Sequence, residues 1–419
     1  SMFEIRLAPA ALAVGTLLIA AACRPMPDPP PAQDDSASAA ASIRSFQDDV
    51  AFLERHMDLV VLGDVDGGPR VAVAPRWQGR VMTSAAAGAR GIGYGWINEA
   101  LITSGELQPH INAIGGEDRF WLGPEGGQFS IFFADGDPFD LDHWQTPAAL
   151  DSEPYVIQEQ DASQVTLTHR AALTNHSGTE FDVRIDRTVR LIDTAGLDAA
   201  VPATVLRVAY QSVNTITNVG PESWTADSGL LSIWILGMFK HSAESVVVIP
   251  FRPGPEDELG PIVNDAYFGK VPDDRLVIAD GRLFFRADGT YRSKIGLGPS
   301  RAEPALGSYD PTRQLLTLVT YDRPENATQY VNSMWEMQDE PYAGDVVNSY
   351  NDGPPAPGAA PLGPFYELET SSPAAALGPA ETLTHTHTTY HFEGAEGDLD
   401  AIARSVLGVS LETIRTALP

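Results

Sequence analysis

Glu367 and Glu369 stand two residues apart in "PFYELETSSPAAALGPAETLTHTHTTYHF" (364–392), a spacing that puts both carboxylates on one face of an extended strand. Two carboxylates held side by side in a cleft cannot both ionise freely, so the pKa of one is driven up and one strand can offer an acid and a base. The same parity gathers His385, His387, Thr389 and His391 on one face of a later strand, predicted to look into a ligand cavity. Two histidines at that spacing can chelate zinc if a carboxylate joins them; otherwise they are proton-transfer candidates or a polar face.

A second group lies in "HINAIGGEDRFWLGPEGGQFSIFF" (110–133), where His110, Glu117, Asp118, Arg119, Trp121 and Glu125 are punctuated by glycines. Aromatic faces stack on the C–H faces of sugars, carboxylates and Arg hold sugar hydroxyls, and glycine lets the backbone approach a ligand. The structural alternative is a loop in which Arg119 pairs with Glu117 or Asp118. A third group, "SMWEMQDEPYAGDVVNSYNDGP" (333–354), contributes Trp335 and Glu336 as site candidates, while its "SYNDGP" end reads as turn chemistry. Only three residues are lysine, and Lys270 and Lys294 sit in Gly- and aromatic-rich contexts where either could neutralise a ligand carboxylate or a sheet-interior acid. No nucleophile elbow, phosphate-binding loop, dinucleotide fingerprint or HExxH motif is present, and no cofactor is expected beyond the conditional divalent metal.

These groups need a scaffold. Runs such as "SQVTLTHRAAL", "FDVRIDRTVRLI", "VVVIPF", "LLTLVTY" and "LTHTHTTYHF" alternate polar with apolar residues between Gly, Pro, Asn and Asp turns, without regular βα alternation. The predicted class is all-β, one large antiparallel sandwich over about residues 58–395. A helix over 43–57, capped by Ser42 with Ile43, Phe46, Val50 and Leu53 on one face, precedes it. A C-terminal helical tail over 396–419, broken near Gly408, follows. Hydrophobic residues make up 43% of the 419, enough for a sizeable core, and a formal charge of −29 excludes the electrostatic footprint of a nucleic-acid binder.

Ahead of the sandwich, "LAPAALAVGTLLIAAAC" follows Arg6 and precedes a Pro-rich polar stretch. It reads as a lipoprotein signal over 1–23 with Cys23 as the lipidated residue, and 24–41 as a flexible tether. Arg24 after the cysteine points to the outer membrane, facing the periplasm or the cell surface. Cys23 is the only cysteine, so no intramolecular disulfide can form.

At "VAYQSVNTITNVGPESW", "LGPFYELETSSPAAALGPAETLTHTHT" and the 110–133 stretch, the sequence resembles galactose mutarotase-like proteins. It is similar more closely, over about 43–395, to a functionally unassigned group of exported bacterial lipoproteins related to them. The resemblance implies a β-supersandwich with short flanking helices and a sugar pocket on a concave face. It also implies a late-strand Glu as base, which Glu367 or Glu369 matches by position, and a His as acid, for which His110 is the nearest match and His387 the other candidate. The expected pocket joins 110–127, Trp335–Glu336 and the glutamate strand, with His385, Lys270 and Lys294 as further substrate-binding residues. The expected activity is acid/base chemistry on a carbohydrate, of the epimerase or mutarotase kind. A non-catalytic glycan-binding lipoprotein and a glycoside hydrolase or lyase on the same fold are the alternatives; a hydrolase needs two carboxyls roughly 5–9.5 Å apart.

Overall fold

Alternating side chains become strands wherever one face can be buried. In strand Glu180–Ile192, Phe181, Val183, Ile185, Arg187 and Val189 point inward while their neighbours stay wet, and the turn through Gly178 returns the chain from Gln164–Thr174. The computed structural model describes residues 44–419. The signal, the tether, Cys23 and Ser42 lie outside the described residues.

Every strand pair is antiparallel, in a ten-stranded, a five-stranded and a three-stranded sheet. The ten-stranded sheet runs from Leu276–Ala279 at one edge to Val156–Gln160 at the other, with Thr382–Glu393 paired centrally between Leu315–Tyr321 and Leu206–Asn218. The five-stranded sheet is ordered Ser293–Leu297, Val347–Asn351, Phe365–Ser371, Ser232–Lys240 and Arg119–Gly123. The two larger sheets pack face to face. Tyr366 and Leu368 of the five-stranded sheet meet Val247, Phe285, Leu306 and Val319 of the other in one apolar cluster. The chain is thus mostly β in a sandwich arrangement, the fold class the sequence predicts. Among the described residues, no helix is long and apolar enough to cross a membrane.

Two short helices, Glu396–Val406 and Leu411–Thr416, cover the outer face of the ten-stranded sheet. Their Leu399, Ile402, Leu411 and Ile414 cluster with Tyr390, Phe392, Leu316 and Leu318. Gly408 between them has φ +66°, which marks the break expected there.

The N-terminal helix is shorter than predicted and spans Phe46–Leu53. Ser45, not Ser42, caps it: its hydroxyl accepts from the Asp48 amide at 3.2 Å, and the Asp48 carboxylate accepts from the Ser45 amide at 3.2 Å. Phe46, Asp49, Phe52 and Leu53 are buried and Val50 packs against the Phe46 cluster, so Phe46, Val50 and Leu53 all face inward; Ile43 lies outside the described residues. Ser45→Ala should cost about 0.5–2 kcal/mol of stability, read as a lower urea midpoint with an unchanged slope.

Candidate active site

The charged stretch after the glycine pair separates by destination. Gly115 and Gly116 have φ of +101° and +104°; a Cβ on Gly115 would lie 2.0 Å from the Trp96 carbonyl oxygen and one on Gly116 2.6 Å from the Arg80 side chain. The chain passes where only glycine fits, and the acids that follow turn to the ten-stranded sheet. Glu117 Oε2 accepts from Ser84 Oγ at 2.9 Å and Tyr210 OH at 2.9 Å, and lies 2.6 Å from His391 Nε2. Asp118 is ion-paired to Arg187 and accepts from Ser212 Oγ at 2.8 Å. Both acids are 0% exposed, with their partners on the interior of the sandwich, so they are internal ties and not the ligand-facing groups expected. Arg119 pairs with neither. It reaches Glu367 Oε1 at 2.6 Å, with its guanidinium 4.3 Å from the centre of the Trp121 ring.

Arg119 thereby joins a polar sheet face that the strand register defines. Glu367 lies opposite Tyr350 and Met238; Glu369 lies opposite Asn348 and Leu236; Trp234 lies opposite Trp121, and Lys294 opposite Tyr350. These residues share the face turned away from the ten-stranded sheet. Glu369 Oε2 accepts from Trp234 Nε1 at 2.9 Å and Lys294 Nζ at 3.0 Å. Burial works against the Lys294 charge, but Glu369 and Glu125 outweigh it and raise its pKa. The lysine therefore neutralises a sheet-interior acid, one of the two roles the sequence allowed. Glu367 is pushed up to about 7 by burial, with the Arg119 charge opposing and the Glu369 charge adding to the rise.

A cleft of about 570 Å³ opens at this face, and Tyr350, the cross-strand neighbour of Glu367, lines it. His110, Glu125, Trp144, Arg292, Trp335 and Asp352 line it too. Trp144 and Trp335 form an aromatic wall, ring centres 5.9 Å apart and nearly parallel at 29°. His110 sits at φ +70° with Nδ1 2.5 Å from the Trp144 carbonyl oxygen. A carbonyl only accepts, so Nδ1 carries the hydrogen and Nε2 is the nitrogen left to exchange a proton. Burial raises the Glu125 carboxyl and also that of Asp352, which accepts from Tyr350 OH at 2.8 Å and the Gly363 amide at 2.7 Å.

Other expected members sit elsewhere. Glu336 and Lys270 are exposed, and neither lines the cleft. Trp121 is buried among Phe132, Trp144 and Trp234, so it packs beneath the cleft instead of presenting a stacking surface. His385 and His387 do share a face, but that face meets the other sheet, not a cavity. Both contact the Thr370 hydroxyl at 2.8 Å, and burial pushes them down to about 3 and about 4, so both are neutral near pH 7. Among the described residues, no group of three or more His, Cys, Asp or Glu side chains is arranged to hold a metal ion. Trp144, Arg292 and Tyr350 line the cleft without having been singled out in the sequence; the only local signal was Arg292 beside Lys294 in "YRSKIGLGP".

Residues 44–418 match the family of unknown function (DUF6786). No curated protein sequence matches. Among solved structures, a galactose mutarotase-like protein from Lactobacillus casei ATCC 334 is similar in fold, with 11% identity, 80% of this chain and 100% of that chain covered, and a TM-score of 0.47. The Slr1438 protein from Synechocystis sp. PCC 6803 is similar at 12% identity, with 80% and 96% covered and a TM-score of 0.49.

Proposed function

Because the chain belongs to the family of unknown function DUF6786, its activity has to be read from its own site, and we propose that it binds a carbohydrate in the Trp144–Trp335 cleft and acts on it by acid/base chemistry of the epimerase or mutarotase kind. The observation that carries this reading is the Glu367 carboxyl, poised near neutrality on the polar face whose neighbouring Tyr350 lines that cleft. A general base works best with a pKa near the operating pH. Glu367 is preferred to Glu369 because it keeps 5% exposure against 0%, and because Arg119 alone donates to its carboxylate whereas Trp234 and Lys294 both donate to that of Glu369. In the proposed step Glu367 takes the proton of the anomeric hydroxyl while His110 gives one to the ring oxygen. The bond from that oxygen to the anomeric carbon breaks, and the open aldehyde recloses from either face. Trp335 and Trp144 supply the stacking wall, and Arg119 holds Glu367 in place. Glycan binding without turnover is the second reading, favoured by the 2.6 Å ion pair that already occupies one oxygen of Glu367.

Trp335→Ala tests the cleft. It removes half of the aromatic wall and should weaken binding of an aldose panel about tenfold by calorimetric titration, with folding unchanged. Parent-like binding would place the sugar elsewhere.

The proposal includes lipid attachment at Cys23, outside the described residues, holding the protein at the cell envelope. It is supported by the apolar run of small residues before that cysteine and the Pro-rich sequence after it. Cys23→Ser should move the protein from the membrane to the soluble fraction on fractionation.

A further inference from the structure

Resting on the carbohydrate reading of the cleft, we propose that its preferred ligand is an amino sugar, bound as the ammonium, and that acidic sugars are rejected. The cations of the sheet face are already matched: Arg119 lies 2.6 Å from Glu367, and Lys294 lies 3.0 Å from Glu369. Neither cation lines the cleft, so neither is placed to receive a ligand carboxylate or phosphate. In the lining itself Arg292 is the one Arg or Lys, set against Glu125, Asp142 and Asp352. Arg292 lies 3.9 Å from the centre of the Phe268 ring and shares its field with both Glu125 and Asp352, while Lys294, outside the lining, also acts on Glu125. Glu125 and Asp142 form no contact ion pair among the described residues, and the lining sets three carboxyls against one guanidinium.

The remaining groups suit a hydroxylated cation. The Trp144 indole nitrogen is buried without a hydrogen-bond partner on a residue that lines the cleft, and it can only donate. A sugar hydroxyl is the kind of acceptor this nitrogen lacks. The paired faces of Trp144 and Trp335 attract an ammonium as well as the C–H face of a sugar ring. The net charge of −29 adds to the sign, but charges more than about 8 Å away are screened at physiological salt, so the lining acids decide the preference.

The test is calorimetric titration of the full chain at pH 7 with glucosamine, glucose and glucuronate, at low and high salt. Glucosamine should bind about tenfold tighter than glucose and glucuronate more weakly than glucose, with the differences shrinking at high salt. Asp142→Asn and Glu125→Gln should each narrow the gap between glucosamine and glucose; two variants at different depths guard against one that fails to fold. Glucuronate binding as tightly as glucose, or tighter, overturns the assignment and makes Arg292 an anion receptor. Equal binding of all three sugars overturns the charge preference and leaves the carbohydrate reading standing. Binding of none of them removes both.

Discussion

Glu367→Gln is expected to lower interconversion of sugar anomers by ~10²–10⁴-fold, the usual contribution of a general base, while sugar affinity stays within a few-fold of the parent. Gln fills the same space and can still accept from Arg119, but it cannot take a proton. Exchange spectroscopy on an anomeric mixture gives the rate, and calorimetry gives the affinity. Turnover like that of the parent would remove Glu367 from the chemistry; loss of binding together with turnover would make it a structural partner of Arg119. The pH dependence follows from its pKa of about 7. The base must be ionised, so activity should climb as pH rises through about 7. Stability runs the other way. A carboxyl whose folded-state pKa is raised favours the fold most below its unfolded value, and that contribution is lost as pH rises through about 7. The resting protein therefore gives up some stability over the range in which it gains its base.

Asp118→Ala should produce the largest loss of stability of any single change considered. Asp118 and Arg187 are each 0% exposed and ion-paired, and Arg187 also donates to the Gly79 carbonyl at 3.1 Å. Removing the carboxylate leaves a guanidinium in the sandwich without its counter-charge, which typically costs 3–5 kcal/mol when one partner of a buried pair is deleted. That is a large part of the ~5–15 kcal/mol that stabilises a typical domain, so soluble yield should fall with the urea midpoint. Adding Arg187→Met should recover part of the loss, because the stranded charge is then gone. A single variant that unfolds within ~1 kcal/mol of the parent would show that water reaches Arg187.

Much of this arrangement was legible in the sequence, and the limits of legibility have a physical form. Period-two alternation identified the strands, and parity put Glu367 with Glu369 and His385 with His387, as the registers have them. Parity assigns residues to a common face but does not say what the face meets. Neither glutamate lines the cleft itself, although Tyr350 beside Glu367 does, whereas the histidines met a second sheet. The partners of Glu117, Asp118 and Arg119 lie 274, 69 and 248 residues away, and no local pattern encodes a pairing across that distance. Charge next to charge therefore suggested a local ion pair that the fold does not make. Trp144 was missed because an isolated tryptophan in a polar loop looks the same whether it walls a cleft or fills a gap.

The central place of strand Thr382–Glu393 governs how the protein comes to exist. This strand inserts between Leu206–Asn218 and Leu315–Tyr321, so the ten-stranded sheet cannot close until the latest of its ten strands in sequence is in hand. Until then Leu206–Asn218 keeps an open hydrogen-bonding edge, and Glu117 waits for His391. Closing a contact such as Asn214 to His385 spans 171 residues, and such loop closures make large antiparallel folds slow and prone to mispairing on the way. Synthesis halted anywhere before residue 382 would thus leave no partly working protein, only an unfinished sheet for chaperones to hold.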